Sequence, residues 1–119
     1  MTLQRIETNE RMSAAVTFAN LVFLAGQVPD DRSEDVAGQT RQVLAKIDRL
    51  LAAAGSDRSR MLSAQIWLKD INANADFAAM NAVWSEWLPA GCAPARATVE
   101  ARLASADVLV EIMVIAASA

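Results

Sequence analysis

The sequence predicts a two-layer α+β domain in which two amphipathic helices cover one face of a mixed six-stranded sheet. Three observations lead there. Two stretches repeat apolar residues at spacings of three and four, which is the helical period. Six others are β-rich or alternate with period two. Their order along the chain is β-β-β-α-β-α-β-β. At 119 residues, 54% of them apolar, the chain suits a single domain over 1–119 with a real core.

Each element has a local reason. Gln4 to Glu7 reads as a short edge strand. Ala15 to Ala19 and Leu21 to Val28 are β-rich and joined tightly at Asn20, as in a hairpin, with Pro29-Asp30-Asp31 ending the second run. Val36, Thr40, Val43, Leu44, Ile47, Leu50, Leu51 and Ala54 mark the first helix. Ser33 or Asp31 is placed to cap it, Glu34 and Asp35 suit the positive end of its dipole, and Gly55 suits the left-handed residue that closes it. Met61 to Lys69 alternates, with Leu62, Ala64, Ile66 and Leu68 on one side. Asp70 to Asp76 is a turn-rich connection, and Phe77, Met80, Trp84, Trp87 and Leu88 form the stripe of a helix from about Asp76 to Leu88. Pro89 and Gly91 stop it, and Arg96–Leu103 and Val108–Ala116 are the last strands. Val22, Leu24, Trp67, Leu109, Met113 and Ile115 need cover that two helices do not supply, which points to self-association through the sheet.

Composition excludes several functions. Eleven basic residues face fourteen acidic ones, a net charge of −3, and no basic stripe stands out for nucleic acid. Arg58 and Arg60, the densest basic pair, are expected to be solvated. There is no histidine, so no Ser-His-Asp triad can be built within the chain, and a zinc site is disfavoured. The single cysteine, Cys92, excludes an intrachain disulfide and lacks a base to activate it. The first residues lack the apolar core of a signal peptide, and the apolar run from Val108 to Ala117 is too short for a bilayer and carries Glu111. A soluble cytoplasmic protein without nucleic-acid or membrane partners is expected. Neither a phosphate-cradling glycine loop nor a metal-ligand cluster is present in the sequence, so no cofactor is expected.

Two residues stand out for chemistry. Glu111 sits inside the run Val108 to Ile115, where a carboxylate is costly unless paired or hydrogen-bonded. It is either a structural ion pair, a side chain reaching solvent at a sheet edge, or a functional acid. Arg96 opens the alternating stretch "CAPARATVEARL" and is either solvated or a fixed cation that binds a carboxylate bidentately. Read as neighbours in a final hairpin, the two share a face only if the register allows it, and the sequence leaves that open. Asn81 on the second helix reads as solvent-facing, the three tryptophans as core or interface fillers, and Gly26 as a turn or a close backbone approach.

The blocks "NLVFLAGQVPDD", "QTRQVLAKIDRLLAAAGS", "DFAAMNAVWSEW", "APARATVEARL" and "VLVEIMVIAA" occur in the order and spacing of the RidA family, also called YjgF or endoribonuclease L-PSP, and resemble most its YoaB-like branch. The resemblance covers roughly Ser13 to Ala117. It implies a chorismate mutase-like fold of the bacillus type, and a homotrimer with clefts between subunits. It also implies cofactor-free hydrolysis of reactive 2-enamino and 2-imino acids to 2-keto acids and ammonia. By the same resemblance Arg96 binds the substrate carboxylate and Glu111 positions the attacking water, while Asn81, Gly26 and, through its backbone, Thr98 line the site. Two positions depart from the family. Its N-terminal tyrosine falls on Met12 and the serine of its "SGQ" on Ala25, so two hydroxyls are missing from the pocket. A trimer that holds a small carboxylate without turning it over is therefore the alternative function. Ribonuclease activity or translation inhibition, suggested by one family name, fits the acidic balance poorly.

Overall fold

A computed structural model gives the structure of the chain and describes residues 2–72 and 75–119. Six strands and two helices follow one another as β1 (Gln4–Thr8), β2 (Ser13–Phe18), β3 (Leu21–Leu24), α1 (Val36–Ala53), β4 (Met61–Leu68), α2 (Asp76–Trp87), β5 (Ala95–Glu100) and β6 (Val110–Ala117). The strands form one mixed sheet in the order β1-β2-β3-β6-β4-β5, antiparallel throughout except for β4 against β5. Both helices lie on one face. The molecule measures 46 × 37 × 20 Å, and its thin dimension is that of two layers, so the other sheet face is open.

The core forms where period-two strands meet the stripe of α1. Val43, Leu44, Ile47, Leu50 and Leu51 of α1 pack with Val22, Leu24, Ile66, Leu68, Ile112 and Val114. The start of α1 is capped by Asp35, whose carboxylate accepts from the Gly38 N–H at 2.9 Å, and not by Ser33 or Asp31, which bond to each other. Asp35 stands immediately before the first helical residue, the position from which a side chain reaches the free N–H groups. Gly55 takes the left-handed conformation expected after the helix, with φ +80°. The β2–β3 hairpin turns on Ala19 and Asn20, with Ala19 at φ 55°.

Several boundaries and faces differ from the sequence expectation. A register shift between Met61 and Ser63 turns Met61 into the core and leaves Leu62 49% exposed. Phe77 is exposed, and the buried side of α2 is Met80, Val83 and Trp84. Val22 and Leu24 are core residues, while Leu21 and Phe23 take the open face beside Trp67, Met113 and Ile115. Strand β3 stops at Leu24, short of Val28, with Gln27 forming an isolated bridge to Ile112. The connection from Asp70 to Asp76 includes 73 and 74, which lie outside the described residues.

The last two strands depart most from expectation. β5 and β6 are not a hairpin, because β4 lies between them, parallel to β5 and antiparallel to β6. Arg58 is not merely solvated. Its guanidinium bonds both Asp48 oxygens, donates to the Trp87 carbonyl at 2.9 Å, and stacks 4.8 Å from the Trp87 ring centroid. Arg60 donates to the Ser118 carbonyl and so ties the end of β6.

Candidate functional site

Pro94 cannot donate to a ladder, and β5 starts directly after it, as an edge strand paired only with β4. The register sets Arg96 beside Ala64, and Ala64 beside Val114. Directly opposed residues share a face, so Arg96 is on the helix side with the core residues Ala64 and Val114. The alternation in "ARATVE" is therefore inverted relative to a simple amphipathic strand. Arg96 and Thr98 are the half-buried row, while Ala97 and Val99, the latter 46% exposed, belong to the open face.

Asn81 and Trp84 are three residues apart on α2 and so project from one side of it. The Arg96 Nη1 donates to Asn81 Oδ1 at 2.7 Å, and its guanidinium carbon lies 5.8 Å from the centroid of the Trp84 ring. Among the described residues no carboxylate comes within ion-pair distance of it. Partial burial lowers its pKa from the ordinary arginine value. The result is a half-buried cation, held flat by an amide and an indole, with N–H donors left over. Asn81 is thus half-buried and engaged, where an isolated helical asparagine reads as solvent-facing. Trp84 was legible only as a filler, although its i, i+3 spacing from Asn81 carried the signal.

Glu111 is built differently. It pairs with Trp67, which pairs with Val99, so it faces away from the helices on the open side of the sheet. The segment after β3 runs across it. Gln27 N donates to the Ile112 carbonyl at 2.8 Å and Ile112 N to the Gln27 carbonyl at 3.1 Å, which fixes this segment to β6. Gly26 lies against the Glu111 side chain. A Cβ built there would overlap Oε2 and come within 3.0 Å of Cδ, so only glycine leaves the carboxylate its place. Burial raises the Glu111 pKa from its ordinary value, with no cation nearby to oppose it.

The candidate residues thus form two groups. Arg96, Asn81 and Thr98 gather at the β5 edge on the helix side. Glu111, Gly26 and Ala25 gather around β6 on the open side. Arg96 and Glu111 are three ladder rows apart, roughly 10 Å along the strands, on opposite faces with β4 between them. Met12 lies at the β1–β2 turn, 52% exposed, at the sheet edge opposite β5. A single chain does not bring the two groups together. The deepest groove near Arg96, about 390 Å³, includes Ser63, Gln65, Ala97, Met113 and Ile115, most of them on the open face. A second groove of about 320 Å³ between α1 and α2 is remote from both groups, and its Asp48 is already committed to Arg58 and Trp87.

Among the described residues no helix is long and apolar enough to cross a membrane. Comparison with known proteins gives a consistent result. The family model of endoribonuclease L-PSP matches residues 2–118. A RutC family protein of Haemophilus influenzae is 46% identical over 117 residues, covering 98% of both chains. The RutC family protein YoaB of Escherichia coli is 43% identical over 117 residues, covering 98% of this chain and 99% of its own. The crystal structure of a YjgF family member from Neisseria meningitidis superposes with a TM-score of 0.94 at 46% identity, covering 100% of this chain and 97% of that one. Two helices on a mixed six-stranded sheet, a whole-length model match and relatives above 40% identity agree, and the chain belongs to the endoribonuclease L-PSP family, the group that includes the RutC and YjgF proteins.

Proposed function

We propose that this protein hydrolyses small 2-imino and 2-enamino acids to 2-keto acids and ammonia, in sites formed where one copy's β5 edge meets another copy's open sheet face. The observation that carries this reading is Arg96. A half-buried guanidinium without a carboxylate partner is costly, and the cost is offset when an anion arrives. Its planar fork suits a carboxylate, and Asn81 and Trp84 hold it in one orientation. The separation of Arg96 from Glu111 within a chain supports a site between copies. So does the open face, where Leu21, Phe23, Trp67, Met113 and Ile115 await cover. The assembly proposed is a homotrimer, as expected for this family.

The chemistry follows from the two groups. Arg96 takes the substrate carboxylate and thereby sets the position of C2. Glu111 from the neighbouring copy accepts a proton from water as the water oxygen bonds to C2, giving a carbinolamine. The C2–N bond then breaks, nitrogen leaves as ammonia with the proton returned, and C2 becomes the carbonyl. An enamine enters the same path once C3 is protonated. A carboxyl whose pKa is raised by burial exchanges protons closer to neutral pH than an exposed one. The net reaction consumes one water and changes no oxidation state.

Generating an imino acid in situ with an amino-acid oxidase and following keto-acid release tests this directly. Wild type is expected to accelerate release over buffer. Arg96→Ala is expected to lose about a hundredfold in kcat/KM. No acceleration by wild type across several amino acids overturns the reading. One observation favours a second reading, binding without turnover: Met12 and Ala25 offer no side-chain hydrogen-bond donor where the family carries hydroxyls. Calorimetric binding of 2-ketobutyrate that depends on Arg96, with no turnover, would establish that alternative.

A further inference from the structure

The Thr98 hydroxyl is buried and has no hydrogen-bond partner among the described residues. Other buried hydroxyls in this chain are satisfied. Thr40 donates to the Val36 carbonyl at 2.6 Å, one helical turn back, and Ser56 donates to the Ala117 carbonyl at 2.6 Å. Thr98 has neither option. In a strand its own earlier carbonyls are out of reach, and its neighbour across the ladder is Ile66, paired in turn with Ile112. A native fold leaves few such groups unpaired, and one beside an anion-competent cation points to a ligand. Thr98 is two residues from Arg96 on the same face of the edge strand β5, with Cα atoms roughly 7 Å apart. A small carboxylic acid spans that distance.

The geometry points to Thr98 as a specificity-determining residue: its hydroxyl donates to the 2-oxo oxygen or 2-imino nitrogen of a ligand whose carboxylate is held by Arg96. This rests on the reading of Arg96 as the carboxylate clamp and adds what that clamp lacks. A guanidinium alone does not distinguish a 2-keto acid from a plain fatty acid of the same length. A buried hydroxyl aligned with the C2 substituent does, because a ligand without an acceptor there leaves the hydroxyl unsatisfied.

Calorimetric titration with 2-ketobutyrate and with butyrate, on wild type, Thr98→Val, Thr98→Ser and Arg96→Ala, tests it. Valine keeps the shape and removes the hydroxyl, while serine keeps the hydroxyl. Thr98→Val is expected to bind 2-ketobutyrate about tenfold more weakly than wild type, to bind butyrate unchanged, and to melt at or above the wild-type temperature. Thr98→Ser is expected to recover 2-ketobutyrate binding. Equal 2-ketobutyrate binding by wild type and Thr98→Val, with binding still lost in Arg96→Ala, overturns the inference and leaves the clamp standing. Equal weakening of both ligands also overturns it, and so does a lowered melting temperature, which marks a structural hydroxyl. If wild type binds neither ligand, the clamp itself fails and the inference with it.

Discussion

Gly26 and Glu111 act as one unit at the scale of single residues. The carboxylate occupies the volume that any other side chain at position 26 would claim, so the glycine is explained by its neighbour and not by backbone conformation. The enclosure has an energetic consequence. Glu111 holds its proton more tightly in the folded chain than in the unfolded one, because burial disfavours the ionised form. Stability from this group is therefore full below the ordinary value of 4.5 and declines as pH rises through the raised folded value. Glu111→Gln removes the titration. Thermal melts across pH should show the variant matching wild type near pH 4 and exceeding it by a few degrees near pH 7, while imine hydrolysis falls steeply. A melting advantage that is constant with pH would remove burial of the charge as the cause.

Individual elements show why the chain was partly legible. Helix α1 was readable almost residue by residue, since its stripe obeys one period and its closing Gly55 adopts the expected geometry. Strand existence was equally clear, because alternation is local. Pairing was not. Nothing in "CAPARATVEARL" or "VLVEIMVIAA" reports that β4 inserts between them, since parallel pairing of β4 and β5 is set by the crossover through α2. The shift at Met61–Ser63 was invisible for a similar reason, as a bulge changes which face a residue takes without altering composition. The contacts of Arg58 were hidden because they are tertiary. Asp48 of α1 accepts from Arg58, in the 3₁₀ turn Arg58–Arg60, and from the Trp87 indole at 3.0 Å, so one carboxylate joins both helices and the entry to β4. Asp48→Ala leaves two donors without their acceptor at a half-buried site. The expected loss is about 1–2 kcal/mol, read as a lower urea midpoint at unchanged slope.

Across the whole molecule, the sheet separates the residues that the proposed chemistry needs together. Arg96 belongs to one edge and the helix side, and Glu111 to the interior and the open side, so flexing of one chain does not close the gap. A slab with one bare apolar face resolves this by stacking copies of itself, and a cyclic arrangement gives every copy both roles, as donor of an arginine edge and of a glutamate face. This makes complementation between two inactive variants a direct test. Arg96→Ala chains retain Glu111, and Glu111→Gln chains retain Arg96. When the two are co-refolded in equal amounts, an interface is intact whenever a Glu111→Gln chain presents its edge to an Arg96→Ala face. Random assembly yields such an interface in roughly a quarter of cases, so imine hydrolysis should recover to roughly a quarter of wild type, while either variant refolded alone stays inactive. If each site lay within one chain, no mixture would recover activity, because every chain would carry a broken site. Light scattering on the same samples shows whether oligomers formed, which separates a failure to assemble from a site built within a single chain.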